Sequence, residues 1–184
     1  MCAWKIYSDT NYYFCTTSIT EMYPVFVNPQ YYEVITKSLS YCRINKGLGL
    51  HAYVIMPNHL HLIVSADQPK AISSIFRDFK RHTSSEISEL LQKENRQAEL
   101  QIFRKAANES RNEQEFKIWR RGFHPIGLNS ASFFAQKFEY LHNNPVRKGY
   151  VQRAVHWVYS SARNYAGLAE VPLEIDKLTY PWLH

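Results

Sequence analysis

Apolar and polar positions change rhythm along the chain, and each change of rhythm predicts an element. Tyr12 to Thr20 is crowded with aromatic and β-branched residues and reads as a first strand. Asn28-Pro29 then opens a helix over about 30–46, where Tyr31, Val34, Ile35, Leu39 and Cys42 form one stripe. Lys46 and Gly47 close it, a basic last turn followed by glycine. Leu50 to Met56 predicts a second strand and His59 to Ser65 a third, a hairpin joined through Pro57-Asn58. Proline fits the tightest primed turns poorly, so a connection longer than two residues is expected. A second helix begins near Pro69-Lys70, buries Ile72, Ile75, Phe76 and Phe79, and has the pattern to run past Leu91. Residues 92–117 hold few large apolar side chains and suit a solvated helix or a mobile excursion equally. Phe123 to Leu128 fits a fourth strand. Asn129 or Ser130 caps a third helix with a core stripe of Phe134, Phe138 and Leu141, ending at about Asn143 because Pro145 and Gly149 follow.

The order strand–helix–hairpin–helix–strand predicts an α+β fold. It is a ferredoxin-like split βαβ layout, an antiparallel sheet with helices on one face and a further C-terminal helix. No repeat or linker divides the chain, so residues 1–184 are expected to form one domain with its core at about 12–166. No run of about 18 apolar residues exists to span a bilayer. Met1 to Lys5 lacks a signal-peptide pattern, which makes the cytoplasm the expected location. Cys2, Cys15 and Cys42 are odd in number and irregularly spaced, unlike a disulfide framework or a zinc ribbon. Charge then turns the reading toward function. Residues 1–69 are balanced, whereas 70–121 carry 12 basic against 8 acidic side chains and 122–165 carry 5 against 1. A net +6 placed this way points to a polyanion, nucleic acid before membrane, although solubility charge alone accounts for the total equally well.

His59-Leu60-His61 is the first chemical feature. Side chains at i and i+2 of a strand share a face, so two imidazoles about 7 Å apart at Cα can converge on one divalent ion while Leu60 points to the opposite layer. Two unrelated sheet histidines would give the same pattern, but a polar pair within Val54-Ile55-Met56 and Leu62-Ile63-Val64 needs a reason. The second feature lies on the third helix. At about 100° per residue, Tyr140 and Asn144 are neighbours on one flank, off the buried stripe. From helical geometry alone, an amphipathic tyrosine covering the core edge is the commoner outcome.

The string Met56-Pro57-Asn58-His59-Leu60-His61-Leu62-Ile63-Val64, followed later by Glu139-Tyr140-Leu141-His142-Asn143-Asn144-Pro145-Val146-Arg147-Lys148-Gly149, resembles the REP-associated tyrosine transposases. These belong to the HUH single-strand DNA endonucleases, alongside single-tyrosine transposases of the insertion-sequence-200 kind. Phe79 to Ser84, Trp119 to His124 and Trp157 to Arg163 match as well, so the resemblance spans about residues 12–166. It implies His59 and His61 as metal ligands, Tyr140 as nucleophile, and Asn144, four positions on, as the residue completing the metal site. The insertion-sequence-200 relatives often have glutamine there, and His142 and Asn143 are nearby alternatives. An amide oxygen suits Mg²⁺ or Mn²⁺. The implied reaction is cleavage and rejoining of single-stranded DNA through a 5′-phosphotyrosine, on a substrate with a hairpin and a short guide sequence.

No separate general base is evident. Lys137 shares the flank of Tyr140, where it is either a pKa-lowering neighbour or an ordinary surface lysine. Lys80, Arg81, Arg120, Arg121, Arg147, Lys148 and Arg163 are candidate phosphate contacts. Trp119, Phe123, Trp157 and Tyr159 are candidate base-stacking platforms, each equally at home in a core. Either a monomer or a homodimer fits the resemblance. Two rivals compete with it: a non-catalytic binder of folded single-stranded nucleic acid derived from a transposase, and a nuclease using water instead of tyrosine.

Overall fold

The strands β1 (Tyr13–Ser18), β2 (Leu48–Met56), β3 (His59–Ala66) and β4 (Ile126–Gly127) form one antiparallel sheet in the order β2-β3-β1-β4. The computed structural model describes residues 12–68, 71–110, 114–176 and 178. β3 lies between β1 and β2, and the helix α1 (Pro29–Lys46) crosses from one to the other, which is the split βαβ arrangement expected. α1 forms where the sequence places its signals. The Asn28 side chain accepts from the Gln30 N–H, Pro29 sits at the first turn, and Gly47 takes the left-handed conformation at φ 65° that ends it.

Strand periodicity divides the interior into two layers. Tyr13, Cys15, Leu60, Leu62 and Val64 face α1, α2 (Ala71–Lys93) and α3 (Gln97–Glu109). Phe14, Val54, Met56 and Ile63 face the other way, toward α4 (Ala131–Arg147). A bulge at His51, between Leu50 and Ala52, lets Leu50 share the first face with Tyr53 and Ile55 despite the odd spacing. α4 therefore packs on the face opposite α1, α2 and α3. Cys15 and Cys42 are buried and unpaired, while Cys2 lies outside the described residues.

Four expectations change. The hairpin loop has only two residues, because Met56 pairs directly with His59. Pro57 is accommodated in an unprimed turn, since neither loop residue has positive φ, and its shape is held from outside. Ile19 N–H donates to the Asn58 carbonyl (2.8 Å) and Phe26 N–H to that of Pro57 (3.0 Å). Residues 92–117 contain α3, whose stripe of Leu100, Phe103, Ala106 and Ala107 relies on small alanines; Asn95, left-handed at φ 54°, breaks it from α2. The fourth strand shrinks to two residues. Finally, α4 runs through Pro145 to Arg147, because proline in the last turn forfeits only one donor and Gly149 (φ 75°) then ends the turn. The expected start of α2 at Pro69-Lys70 lies outside the described residues.

Candidate active site

β3 and α4 build the site between them. His59 and His61 open β3 on the α4 face, their ring centroids 4.8 Å apart. Tyr140, half-buried on α4, meets His61 edge-on at 5.3 Å, and Phe14 of β1 stacks on His61 at 5.3 Å and touches Tyr140 edge-on at 6.2 Å, closing a three-ring cluster. Tyr140, some eighty residues from the two histidines in sequence, thus shares one face with them within one chain. His61 Nδ1 lies 2.8 Å from Thr16 Oγ1 across the strand pair, and His59 Nδ1 lies 2.6 Å from Asn58 Oδ1.

Two buried atoms here have no hydrogen-bond partner: His61 Nε2 and Asn144 Oδ1. Buried polar atoms are ordinarily satisfied, so a pair of orphans at one site calls for a ligand. Among the described residues no group of three His, Cys, Asp or Glu side chains is placed to hold a metal ion, and a cation at this site would draw on two imidazoles and an amide oxygen. The amide oxygen suits Mg²⁺ or Mn²⁺, and the two imidazoles favour the transition ion of that pair. Burial drives the pKa of His59 down to about 4, with the Lys148 charge adding to it and the neighbouring Asn144 amide opposing. His61 falls to about 3, first through burial, then through His59 and Lys137. Both rings are therefore neutral at pH 7, the form that binds metal.

Asn144 is buried rather than merely flanking. His142 is directed elsewhere: its Nε2 bonds Ser161 Oγ at 2.8 Å, which removes it as a ligand candidate. Lys137 is no ordinary surface lysine. Its Nζ sits over the rings of Phe14, Phe133 and Tyr140, and the Arg147 guanidinium lies 5.1 Å from the Tyr140 ring centre.

The remaining candidates separate into groups. Arg120 and Arg121 are exposed and, with Lys80 and Arg81, line a pocket of about 380 Å³ against α2 whose lining, among the described residues, has no acidic side chain. Lys80 also tethers that segment, donating to the Arg120 and Gly122 carbonyls, and burial lowers its pKa to about 8. Arg147 and Lys148 are exposed beside the histidine site. Arg163 turns inward, its guanidinium bonded to the Val155 and Glu170 carbonyls, so its charge is engaged in holding a loop. The four aromatic candidates pack internally. Trp119 is buried and bonds Thr83, Phe123 stacks on Phe76, Trp157 donates to the Ile55 carbonyl, and Tyr159 lies on Tyr32 at 3.7 Å.

With this geometry in place, residues 9–106 match the protein family described as "Transposase IS200 like". The chain belongs to the IS200-like transposase family. The matched stretch includes both histidines and stops before α4. A REP-associated tyrosine transposase, solved bound to a REP hairpin, shares the fold with a TM-score of 0.62 at 18% identity, over 98% of this chain and 96% of that one. A chain from Deinococcus radiodurans R1, described provisionally as a transposase, aligns at 17% identity with a TM-score of 0.46, over 78% and 97% of the two chains. Comparison with curated proteins gave no match. This IS200-like transposase has, among its described residues, no helix long and apolar enough to cross a membrane.

Thr16 and Asn58 are absent from the site as read in the sequence. Asn58 directly precedes the His-x-His pair, which was a usable signal. Thr16 had none, because its place opposite His61 depends on strand register.

Proposed function

We propose that this IS200-like transposase cleaves and rejoins single-stranded DNA at hairpin-bearing, REP-like substrates, with Tyr140 as nucleophile and a 5′-phosphotyrosine as intermediate. The observation that carries the reading is the contact of Tyr140 with His61, itself against His59, at a site where His61 Nε2 and Asn144 Oδ1 are buried without partners. The hairpin substrate is supported by the hairpin held by the REP-associated relative.

Tyr140 Oη attacks the scissile phosphorus and its proton is lost to solvent. The P–O bond to the preceding sugar breaks, releasing a 3′-hydroxyl once that oxygen takes up a proton. Because the phosphodiester energy is kept in the tyrosyl ester, a 3′-hydroxyl can later attack it, regenerate the phenol and seal a strand. His59, His61 and Asn144 would hold the Mg²⁺ or Mn²⁺. When bound, the cation neutralises charge on the phosphate and its leaving oxygen. Lys137 and Arg147, flanking the Tyr140 ring, add positive charge where the phosphate arrives.

Tyr140→Phe tests this with labelled single-stranded hairpin DNA and Mn²⁺. The expected result is loss of the protein–DNA adduct and of cleavage with hairpin affinity retained. Cleavage that survives the substitution identifies a water-using nuclease. A wild-type protein that binds hairpins and never cleaves them is a non-catalytic descendant.

A further inference from the structure

Asn58 sits in the hairpin turn, outside the candidate ligand set, yet its bonds determine which way His59 presents its lone pair. Its Nδ2 lies 2.8 Å from the Met22 carbonyl oxygen. A carbonyl only accepts, so the amide nitrogen must face Met22 and Oδ1 must face His59 Nδ1, 2.6 Å away. Oδ1 also only accepts. The hydrogen of a neutral His59 ring therefore resides on Nδ1, and the lone pair on Nε2. The corresponding contact of His61, with Thr16 Oγ1, fixes nothing by itself because a hydroxyl donates or accepts.

The Met22 carbonyl is held in place at some conformational cost. Glu21 and Met22 are consecutive non-glycine residues in the left-handed region, each at φ 54°. L side chains avoid that region, so such a pair persists only where its surroundings over-determine it. Here Ile19 N–H donates to Asn58 O and Phe26 N–H to Pro57 O, clasping the loop to the hairpin, and Thr20 N–H donates to Ile118 O, tying it to the segment before Trp119. Strain, amide and imidazole form one chain ending at the candidate ligand.

We propose that Asn58 is a positioning residue: anchored by the Met22 carbonyl, it locks His59 as the Nδ1–H tautomer and leaves Nε2 open toward the site. Its consequence for a cation rests on the reading of His59 as a metal ligand; its effect on the ring does not. Partners of this kind, one bond beyond the metal, orient the ring and raise its basicity.

The test begins with metal-free, ¹⁵N-histidine-labelled protein at pH 7, where long-range ¹H–¹⁵N correlations distinguish the protonated ring nitrogen; a His59→Gln spectrum assigns the signals. Wild type should show Nδ1–H at His59. Asn58→Ala should shift the ring toward Nε2–H and weaken Mn²⁺ binding, measured by calorimetry, about 10- to 100-fold. Asn58→Asp, which keeps an acceptor, should restore Nδ1–H. A wild-type Nε2–H ring, or a tautomer unmoved by Asn58→Ala, overturns the proposal. The wild-type spectrum decides the tautomer even if a variant fails to fold. Protein that shows the expected tautomers but binds no Mn²⁺ supports the hold of Asn58 on the ring and overturns the metal reading instead.

Discussion

Asn144 and His61 hold the clearest conflict between stability and function at the residue scale. An unsatisfied buried polar atom costs about 1–3 kcal/mol, and Asn144 Oδ1 and His61 Nε2 are both in that state. Asn144→Leu removes one of them while keeping the branching and heavy-atom count of the side chain. The metal-free variant should then unfold in urea within about 1 kcal/mol of wild type. Mn²⁺ at a hundredfold its Kd should stabilise wild type by about 2.7 kcal/mol and the variant hardly at all. Equal stabilisation of both would remove Asn144 from the ligand set. The shared facing of His59 and His61 was legible from strand period alone, whereas Tyr140 stood out only through the motif resemblance, because helix period equally suits a tyrosine covering the core edge. The depth of Asn144 was not, since it depends on how closely α4 approaches β3.

Elements rather than residues decide how α4 is seated. His142 bonds Ser161 Oγ, whose hydroxyl donates to the Tyr53 carbonyl while accepting from the Tyr53 N–H, so one serine joins α4 to β2. Burial lowers the His142 pKa to about 4 from the ordinary 6.5. The unfolded chain then binds the extra proton first, so stability rises with pH across that interval. It is fully present above about pH 6.5, is lost as pH falls to about 4, and changes no further below. For His142 the loss is on the order of 3 kcal/mol, and metal-free His59 and His61 act in the same direction. Urea midpoints from about pH 4 to 8 should show the slope, and His142→Gln, which still donates to Ser161, should lessen it by the His142 share, leaving that of His59 and His61. An unchanged slope would mean that His142 is protonated in the fold. Long apolar stripes made α1, α2 and the hairpin strands readable. α3 escaped because Ala106 and Ala107 fill positions where large side chains would have announced a helix, and the Pro145 signal ended α4 about four residues early.

Across the whole molecule, two basic stretches that are separate in sequence come to the same end of the sheet. The Arg120 N–H bonds the Ser18 carbonyl, and Ser18 pairs with His59, so the Arg120 backbone lies two strand spacings, roughly 10 Å, from the first histidine. Arg120 and Arg121 border the α2 pocket on that side, while Arg147 and Lys148 border the histidines on the other. A sugar–phosphate strand reaching Tyr140 can thus meet positive charge on both sides of β1. Phosphate contacts release condensed counterions, each adding about 0.7 (single-stranded) to 0.9 (duplex) to the slope of log K against log salt. Arg120→Ala with Arg121→Ala should therefore lower the slope for hairpin DNA by about 1.4–1.8 while leaving the urea midpoint unchanged. Arg163→Ala should do the reverse, because its guanidinium is bonded to the Val155 and Glu170 carbonyls: stability falls and the slope stays. Filter binding over a salt series separates the two, and an unaltered slope in the double variant would place the DNA elsewhere on the protein.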